Sequence, residues 1–538
     1  MEDSTNNARS PLLQAHINNT YGSSNDRPAN KDLRITLDEG HAAVYAEVDT
    51  GEVESGFSLR KLIKYTGPGW LMSIAYIDPG NLEADLQSGA SAGYKLLWLL
   101  FWAHAAGLLI QCLSARLGVV TGKHLAQQMR AHYPFISPLL WFIAEIAIIG
   151  SDIQEIIGTA IALRIIFGLP LWVGTLLTAL DSCVFMMLQH FGVRKLEAFF
   201  MLLISVMATC FWVEMVQSRP NLGAILEGTL KPTLPDKSIV QAVAMLGAVI
   251  MPHSSYLHSA LVMSRRVGDR SARSIPKIKE ANFYFFIESA LALLASFLIN
   301  LALVVVFAQV YYSPDEEKPM PGLYDASDVL TRTLGGWARY LFALGLLAAG
   351  QSSTMAGTIA GGYVMEGFFG RIFSSAWQRL AVTRSIALVP SMLVAVLAVQ
   401  HMDMMGELLN VLQSVCLPVT LIPLLRISDS EVMGDFRMRP LVKIIAWLVA
   451  ALLTASNIYL LGVFLEELPN RWMGLGFGMA YMVLLGYLMV VPLSRDHAWV
   501  MINGHKVRDS DLLEGPARDV VEDEGGDEVV VDTTQGRI

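Results

Sequence analysis

Charge is what this sequence has little of. Asp, Glu, Lys and Arg make up only 16% of its 538 residues against 53% hydrophobic, and the mean hydropathy is +0.46. A soluble chain of this size needs a far more charged surface, so a polytopic membrane protein is implied. An excess of positive charge is missing too: the net charge is -9, which speaks against a nucleic-acid partner. Much of the acidity sits in Glu514 to Asp532, a stretch with few aromatics that is expected to be disordered. Cysteine is scarce. Cys112, Cys183, Cys210 and Cys416 all fall in apolar segments without CxxC or CxxH spacing, which excludes a zinc-ligand pattern and reads as buried small hydrophobes. The first 65 residues lack an apolar h-region, so no cleavable signal peptide is expected and insertion falls to the first membrane helix. No paired nucleophile and base, phosphate loop or HExxH is present, and an enzyme is not expected.

Apolar runs are what the chain has instead. About 20 apolar residues cross the hydrocarbon, and that criterion predicts an all-α protein with twelve spans, near 66–91, 93–120, 136–167, 170–189, 195–216, 238–263, 283–311, 338–368, 380–400, 404–425, 441–465 and 472–494. Lys and Arg concentrate in alternate loops, for example Arg265, Arg266, Arg270, Arg273, Lys277 and Lys279, which puts both termini in the cytoplasm. The expected organisation is a disordered N-terminal tail (1–60), a membrane domain (61–495) and an acidic C-terminal tail (496–538).

Two spans are interrupted alike. "SIAYIDPGNLEADL" breaks the first at Asp78, Pro79 and Gly80, and "MLGAVIMPHSSYLHSAL" breaks the sixth at Met251, Pro252 and His253. Proline removes a backbone donor and clashes with the preceding turn, so each span is expected to split into two half-helices. Breaks five spans apart are what a five-plus-five inverted repeat produces, with the last two spans appended; in such transporters the broken helices flank a mid-membrane substrate site.

An ionised Asp78 near the bilayer centre costs about 3 kcal/mol and calls for a partner. Asn81 brings an amide oxygen to the same side, Met251 offers a thioether beside the other break, and the carbonyls of Ala75 and Ala248, each three residues before its break, can complete a shell. A thioether adds contact with softer ions such as Fe²⁺, Co²⁺, Cd²⁺ and, less strongly, Mn²⁺, whereas Ca²⁺ and Mg²⁺ prefer all-oxygen shells. In "AEIAIIGSDIQEIIG" the third span carries Glu145, Asp152 and Glu155 along one face, and His253 and His258 follow the second break. An acidic line beside a metal site reads as a proton path; the alternative is structural ion pairing, with Arg379 or Lys195. Asp181, Glu288 and His104 are further intramembrane polar groups without an assigned role.

The stretches "GPGWLMSIAYIDPGNLEADLQSGASAGY", "MPHSSYLHSALV" and "AAGQSSTMAGTIAGGYVMEGFF" resemble the signature segments of the Nramp (natural resistance-associated macrophage protein) divalent-metal transporters, most of all the plant and green-lineage members, over about residues 60 to 495. The resemblance implies a LeuT-type fold, alternating access, and uptake of Mn²⁺ and Fe²⁺ into the cytoplasm with protons. By position, Asp78, Asn81, Met251, Ala75 and Ala248 match the family's metal ligands, and Asp152, Glu155, His253 and His258 its proton pathway. Asn410 falls where some members bring an amide to the metal, and Gln413 is its neighbour. The chain departs from the pattern at Ser254, where many members have Asn, and at Ala356, Ile359 and Gly362. These changes bear on ion preference and coupling but remove no ligand.

The expected partners are therefore divalent metal ions, protons and the lipid bilayer, with no resident cofactor. Two rivals remain: a membrane metal sensor that binds without transporting, and a sodium-coupled amino-acid carrier of the same fold, whose substrate carboxylate Asp78 would repel. The Leu12-Leu13 pair is of the kind that sorting adaptors read, which favours a vacuolar or other endomembrane location over the plasma membrane.

Overall fold

The computed structural model describes residues 48–50, 56–178, 193–235, 238–266, 275–314, 318–370, 402–467 and 471–493, together with scattered positions of 378–396 and short stretches of 499–532. Leu12, Leu13, Asp181, Cys183 and Arg379 lie outside the described residues. The helices are α1 (Leu59–Tyr65), α2 (Pro68–Ser73), α3 (Pro79–Ala92), α4 (Leu97–Thr121), α5 (Leu125–His132), α6 (Ser137–Phe167), α7 (Val193–Ser218), α8 (Leu222–Leu230), α9 (Ile239–Val249), α10 (Pro252–Leu261), α11 (Ile275–Val310), α12 (Leu323–Leu334), α13 (Ala338–Phe369), α14 (Met402–Ser428), α15 (Pro440–Glu467) and α16 (Arg471–Val490).

Both predicted breaks are present and are built alike. Asp78 (φ -77°, ψ 170°) and Met251 (φ -78°, ψ 136°) are extended residues, each followed by a proline at the first position of a new helix. The first span is thus α2, a 3₁₀ turn at Ile74–Tyr76, and α3; the sixth is α9 and α10.

The packing repeats with an offset of five spans. α3 packs on α11 as α10 packs on α4, and α2 meets α7 as α9 meets α14. α6 lies against α14 as α13 lies against α7, and α3 touches α6 as α10 touches α13. The α6–α13 and α4–α11 contacts map onto themselves. Since five is odd, the second copy crosses in the opposite sense, and the repeat is inverted as expected.

The number of spans is a difference. Among the described residues seven helices are long and apolar enough to cross a membrane, against twelve expected spans. The first two run together because a 3₁₀ turn at Gly93–Leu96 joins α3 to α4. α13 has 32 residues but carries Gln351, Ser352, Ser353 and Thr354 at its middle, and the apolar part of α16 is short. The fourth span is described only to residue 178, and the ninth lies largely outside the described residues.

Short strands are described at the edges of the membrane domain and in the acidic tail. Val48–Asp49 (β1) pairs in parallel with Arg265–Arg266 (β2). In the acidic tail Trp499–Ile502 (β3) pairs with His505–Arg508 (β4), and Arg518–Glu522 (β5) with Glu528–Asp532 (β6), both antiparallel. The β-branched run of Val520, Val521, Val529, Val530 and Val531 supplies the pairing that the net charge concealed. Of the cysteines, Cys210 and Cys416 are buried and free as expected, whereas Cys112 is only half-buried.

One end of the bundle is tied shut by ions. Arg265, fully buried, donates to Glu197 at 2.6 Å and to the Thr66 carbonyl at 2.7 Å. Gly67 (φ 143°) lies against this pair, where a Cβ would stand 2.1 Å from Glu197 Oε1. Glu288 accepts from the N–H groups of Gly67 at 2.5 Å and Gly69 at 2.9 Å, which gives that residue a structural role. Lys61 of α1 and Glu280 of α11 form a further buried pair.

Close helix crossings depend on glycine. A Cβ on Gly118 of α4 would meet the Ser259 carbonyl of α10 at 2.1 Å, whereas one on Gly361 of α13 would touch only Ile148 Cγ2 at 3.8 Å. Gly118→Ala is therefore expected to destabilise by about 1–3 kcal/mol, read as a lowered thermal midpoint of the detergent-solubilised protein, while Gly361→Ala leaves the midpoint in place.

Candidate functional site at two helix breaks

The carbonyls of Ala75 and Ala248 stand four residues before Pro79 and Pro252, so neither has the N–H that a continuous helix would supply. Around the first break Asp78 and Asn81 are both wholly buried. Asp78 Oδ1 accepts from the Asn81 backbone N–H at 2.8 Å and from its Nδ2 at 2.7 Å; the same Nδ2 donates to the Ala75 carbonyl at 3.1 Å. Asp78 Oδ2 and Asn81 Oδ1 are left buried without a hydrogen-bond partner. The Asn81 amide thus holds two of the expected donors together through its NH₂ and keeps its own oxygen unengaged.

The second break faces the first. α9 packs on α3 and on the 3₁₀ turn, and α10 packs on α2. Met251 and Ala248 are buried at 1% and 0% exposure. Ser254 Oγ donates to the Met251 carbonyl at 2.7 Å, so this departure from the family pattern engages its own half-helix and leaves Met251 to present its thioether.

Asn410 of α14 touches both breaks. Its Nδ2 donates to the Gly80 carbonyl at 3.3 Å, and its own carbonyl lies 3.0 Å from where a Cβ on Gly247 would stand. Its Oδ1 accepts from Gln154 Nε2 at 2.9 Å, which also reaches the Gly406 carbonyl at 3.0 Å. Gln413 Nε2 donates to Gln154 Oε1 at 2.8 Å. Gln154, the centre of this amide network, was not singled out by the sequence reading. Its signal was an uncharged amide between Asp152 and Glu155 in a span with no solvent to satisfy it.

The acidic line on α6 faces α13. Glu155 accepts from Ser151 Oγ and Ser353 Oγ, both at 2.9 Å. Asp152 Oδ1 and the Glu155 carboxylate lie 2.8 and 3.6 Å from the place of a Cβ on Gly357. Glu145 is buried two turns before Asp152 on the same helix. His253 is buried with Nδ1 unpartnered. His258 turns instead to α4, where Nδ1 donates to the Gln111 carbonyl at 3.1 Å, so the two histidines do not form one line. His104 bonds through Nδ1 to the Leu100 carbonyl at 2.9 Å within its own helix. Buried carboxylates that the sequence reading passed over are Glu83, Asp85 and Glu214; both oxygens of Asp85 lack a hydrogen-bond partner.

Among the described residues no group of three or more His, Cys, Asp or Glu is placed to hold a metal ion. What the breaks offer is one carboxylate, one amide, one thioether and two backbone carbonyls, a set suited to reversible binding of a soft divalent ion. On the Leu323 side of the break a small cleft of about 10 Å³, room for about one water, is lined by Glu83, Gln154, Ile157, Ile161, Leu323 and Gly406.

Residues 69–462 match the family described as natural resistance-associated macrophage protein-like. The chain is 45% identical over 490 residues to "Metal transporter Nramp4" of Arabidopsis thaliana, covering 88% of this chain and 94% of that one. It is 43% identical over 505 residues to "Natural resistance-associated macrophage protein 1" of Canis lupus familiaris, covering 88% and 90%. Among solved structures, a manganese transporter of Eremococcus coleocola, crystallised with an aromatic bis-isothiourea compound, superposes with a TM-score of 0.70 at 28% identity, covering 85% of this chain and 98% of that one.

Gly80→Ala would place a Cβ 2.7 Å from Gln154 Oε1 and 3.0 Å from Asn410 Oδ1. It is expected to weaken binding of Cd²⁺ to the purified protein about tenfold, or about 1.4 kcal/mol, by isothermal titration calorimetry.

Proposed function

The chain belongs to the Nramp family and is a divalent-metal transporter; we propose that it moves Mn²⁺ and Fe²⁺ into the cytoplasm together with protons, by alternating access. The observation that supports this reading most directly is the pair of facing breaks, with the Asp78 carboxylate fully buried, its Oδ2 unpartnered, and Met251 on the opposing break. An isolated buried carboxylate is costly. A divalent ion held between Asp78, the Asn81 oxygen, the Met251 thioether and the Ala75 and Ala248 carbonyls removes that cost, and Asn410 borders the same space.

Binding requires the Asn81 amide to turn. In the ion-free arrangement its NH₂ bridges Asp78 and Ala75. Rotation by half a turn presents Oδ1 to the ion and releases both acceptors at once, so metal replaces the amide as the cross-link. One carboxylate among neutral donors leaves the complex net positive, which keeps release possible.

The Arg265–Glu197, Lys61–Glu280 and Glu288–α2 contacts close one end of the bundle, the cytoplasmic end if both termini are cytoplasmic. The cleft beside Leu323 lies at the other end. Exchange of these two closures carries the ion across. A divalent cation entering down 100 mV gains about 4.6 kcal/mol, roughly 2.3 per charge. Protons carried by Asp152 and Glu155 beside Gly357, with Glu145 further along α6 and His253 at the second break, add to it.

Purified protein in liposomes is expected to accumulate Mn²⁺ and to acidify the lumen with it, and Asp78→Ala to abolish accumulation; a sensor that does not transport would show none in the wild type. Met251→Ala is expected to retain part of the Mn²⁺ flux while Ca²⁺ begins to compete. Glu155→Gln, which keeps acceptors for Ser151 and Ser353, is expected to keep metal flux but lose most of the acidification followed by a pH-sensitive dye.

A further inference from the structure

Two described stretches ahead of α1, residues 48–50 and 56–58, are fastened to the end of the bundle that Arg265 closes. β1 (Val48–Asp49) pairs with the backbone of Arg265 itself, which stands extended (φ -96°, ψ 126°) just past α10. Thr50, the next residue, is wholly buried. The second stretch is held by Tyr284 of α11. The Ser58 N–H donates to Tyr284 Oη at 2.9 Å, Tyr284 Oη donates to the Gly56 carbonyl at 3.5 Å, and the Phe57 ring lies 6.2 Å from the Tyr284 ring. Tyr284 also stacks on Tyr65 of α1, with ring centroids 5.1 Å apart and planes 8° from parallel.

The N-terminal part of the chain therefore meets Arg265 twice. Val48 and Asp49 take its backbone, and Thr66, at the end of α1, accepts from Arg265 Nη2 at 2.7 Å; the same nitrogen donates to Glu197 of α7 at 2.6 Å. Gly67 and Gly69 then give their N–H groups to Glu288. Opening of this end separates α1 and α2 from Arg265 and Glu288, so movement of α1 pulls on both fastenings. Two paired residues are a weak fastening, because a lone two-stranded ribbon is marginal in water. Weakness makes it reversible, while the buried pairs Arg265–Glu197 and Lys61–Glu280 carry the bulk of the closure.

We propose that the stretches 48–50 and 56–58 are a latch on this closure: engaged, they hold α1 and α2 against Arg265 and Glu288, and released, they let this end open more often. The inference rests on the transport reading for its purpose, since a carrier must open there, and on the contacts of Arg265 and Tyr284 for its substance. A segment that merely lay on the closed end could be removed without disturbing the Gly67 and Gly69 bonds.

The test is hydrogen exchange, followed residue by residue by mass spectrometry on the full chain in phosphatidylcholine nanodiscs. The Gly67 and Gly69 amides read the closure directly, because they precede the first hydrogen bond of α2 and are protected by Glu288. Val48→Pro combined with Asp49→Pro removes the strand donors and is expected to speed exchange at these two amides about tenfold, with the middle of α11 unchanged. Tyr284→Phe keeps the stack on Tyr65 and loses the hydroxyl that holds Ser58 and Gly56. It is expected to speed exchange in the same direction, and provides a second arm if the proline variant does not reach the membrane. Wild-type exchange at Gly67 and Gly69 in the proline variant, or in Tyr284→Phe where that is the variant obtained, would overturn the latch, as would equal acceleration along α11. Absence of Mn²⁺ uptake by the wild type in liposomes would instead remove the transport reading and leave the exchange result standing.

Discussion

The missing N–H of proline is the constraint from which the centre of this protein follows. In a bilayer every backbone group must find a partner inside the protein. Pro79 and Pro252 deny one to the carbonyls of Ala75 and Ala248, and hydrocarbon offers none in its place. A helix interrupted in this way is tolerated only where something polar fills the gap. At the first break the Asn81 amide does so, by donating to Ala75 and Asp78 together. The buried oxygens it leaves, Asp78 Oδ2 and Asn81 Oδ1, are a deficit of positive charge waiting at mid-membrane.

The rest of the bundle keeps that deficit from being relieved in the wrong way. Water would satisfy the oxygens but would dissolve the site. α14 lies across both breaks through Asn410, and the amide chain of Gln413, Gln154 and Asn410 directs its donors to one another and to the Gly80 and Gly406 carbonyls. At one end Arg265 and Glu197 form a buried pair whose separation would leave an uncompensated charge, a change of about 3–5 kcal/mol. That is large enough to hold the end closed and small enough, against the binding energy of a divalent ion, to be reversed.

Much of the fold was legible because the break motifs are chemically loud. A proline after Asp78 and another after Met251, five spans apart, predict half-helices, and both half-helices start at those prolines. The inverted repeat follows from the same spacing and reappears in the paired helix contacts. The eighth span, expected at 338–368, is the helix Ala338–Phe369 even though it carries Ser353 and Gly357 against the α6 acids. The joining of α3 to α4 was invisible, since a 3₁₀ turn leaves no mark on an apolar count. At the site, Asp78, Asn81 and Asn410 could be named from spacing and resemblance. Gln154 could not, because an amide announces nothing until its partners on α14 are known. His253 and His258 were both named for the proton path; their five-residue separation on a helix points the two rings to different neighbours, His258 to α4.

Ser254 shows how a departure from the family pattern can be neutral for the ligands and still matter. An asparagine at that position would offer an additional amide near the second break; the shorter serine turns back on the Met251 carbonyl at 2.7 Å. Tyr76 lies in the 3₁₀ turn of the first break, and its own carbonyl accepts from Asn300 of α11 at 2.7 Å. The Ser254 hydroxyl therefore satisfies a carbonyl of its own half-helix instead of adding a donor to the ion. What ties movement of α10 to α2, the pair of half-helices nearest the Arg265 closure, is their direct packing. Ion preference is left to the Met251 thioether, and the serine leaves that preference untouched.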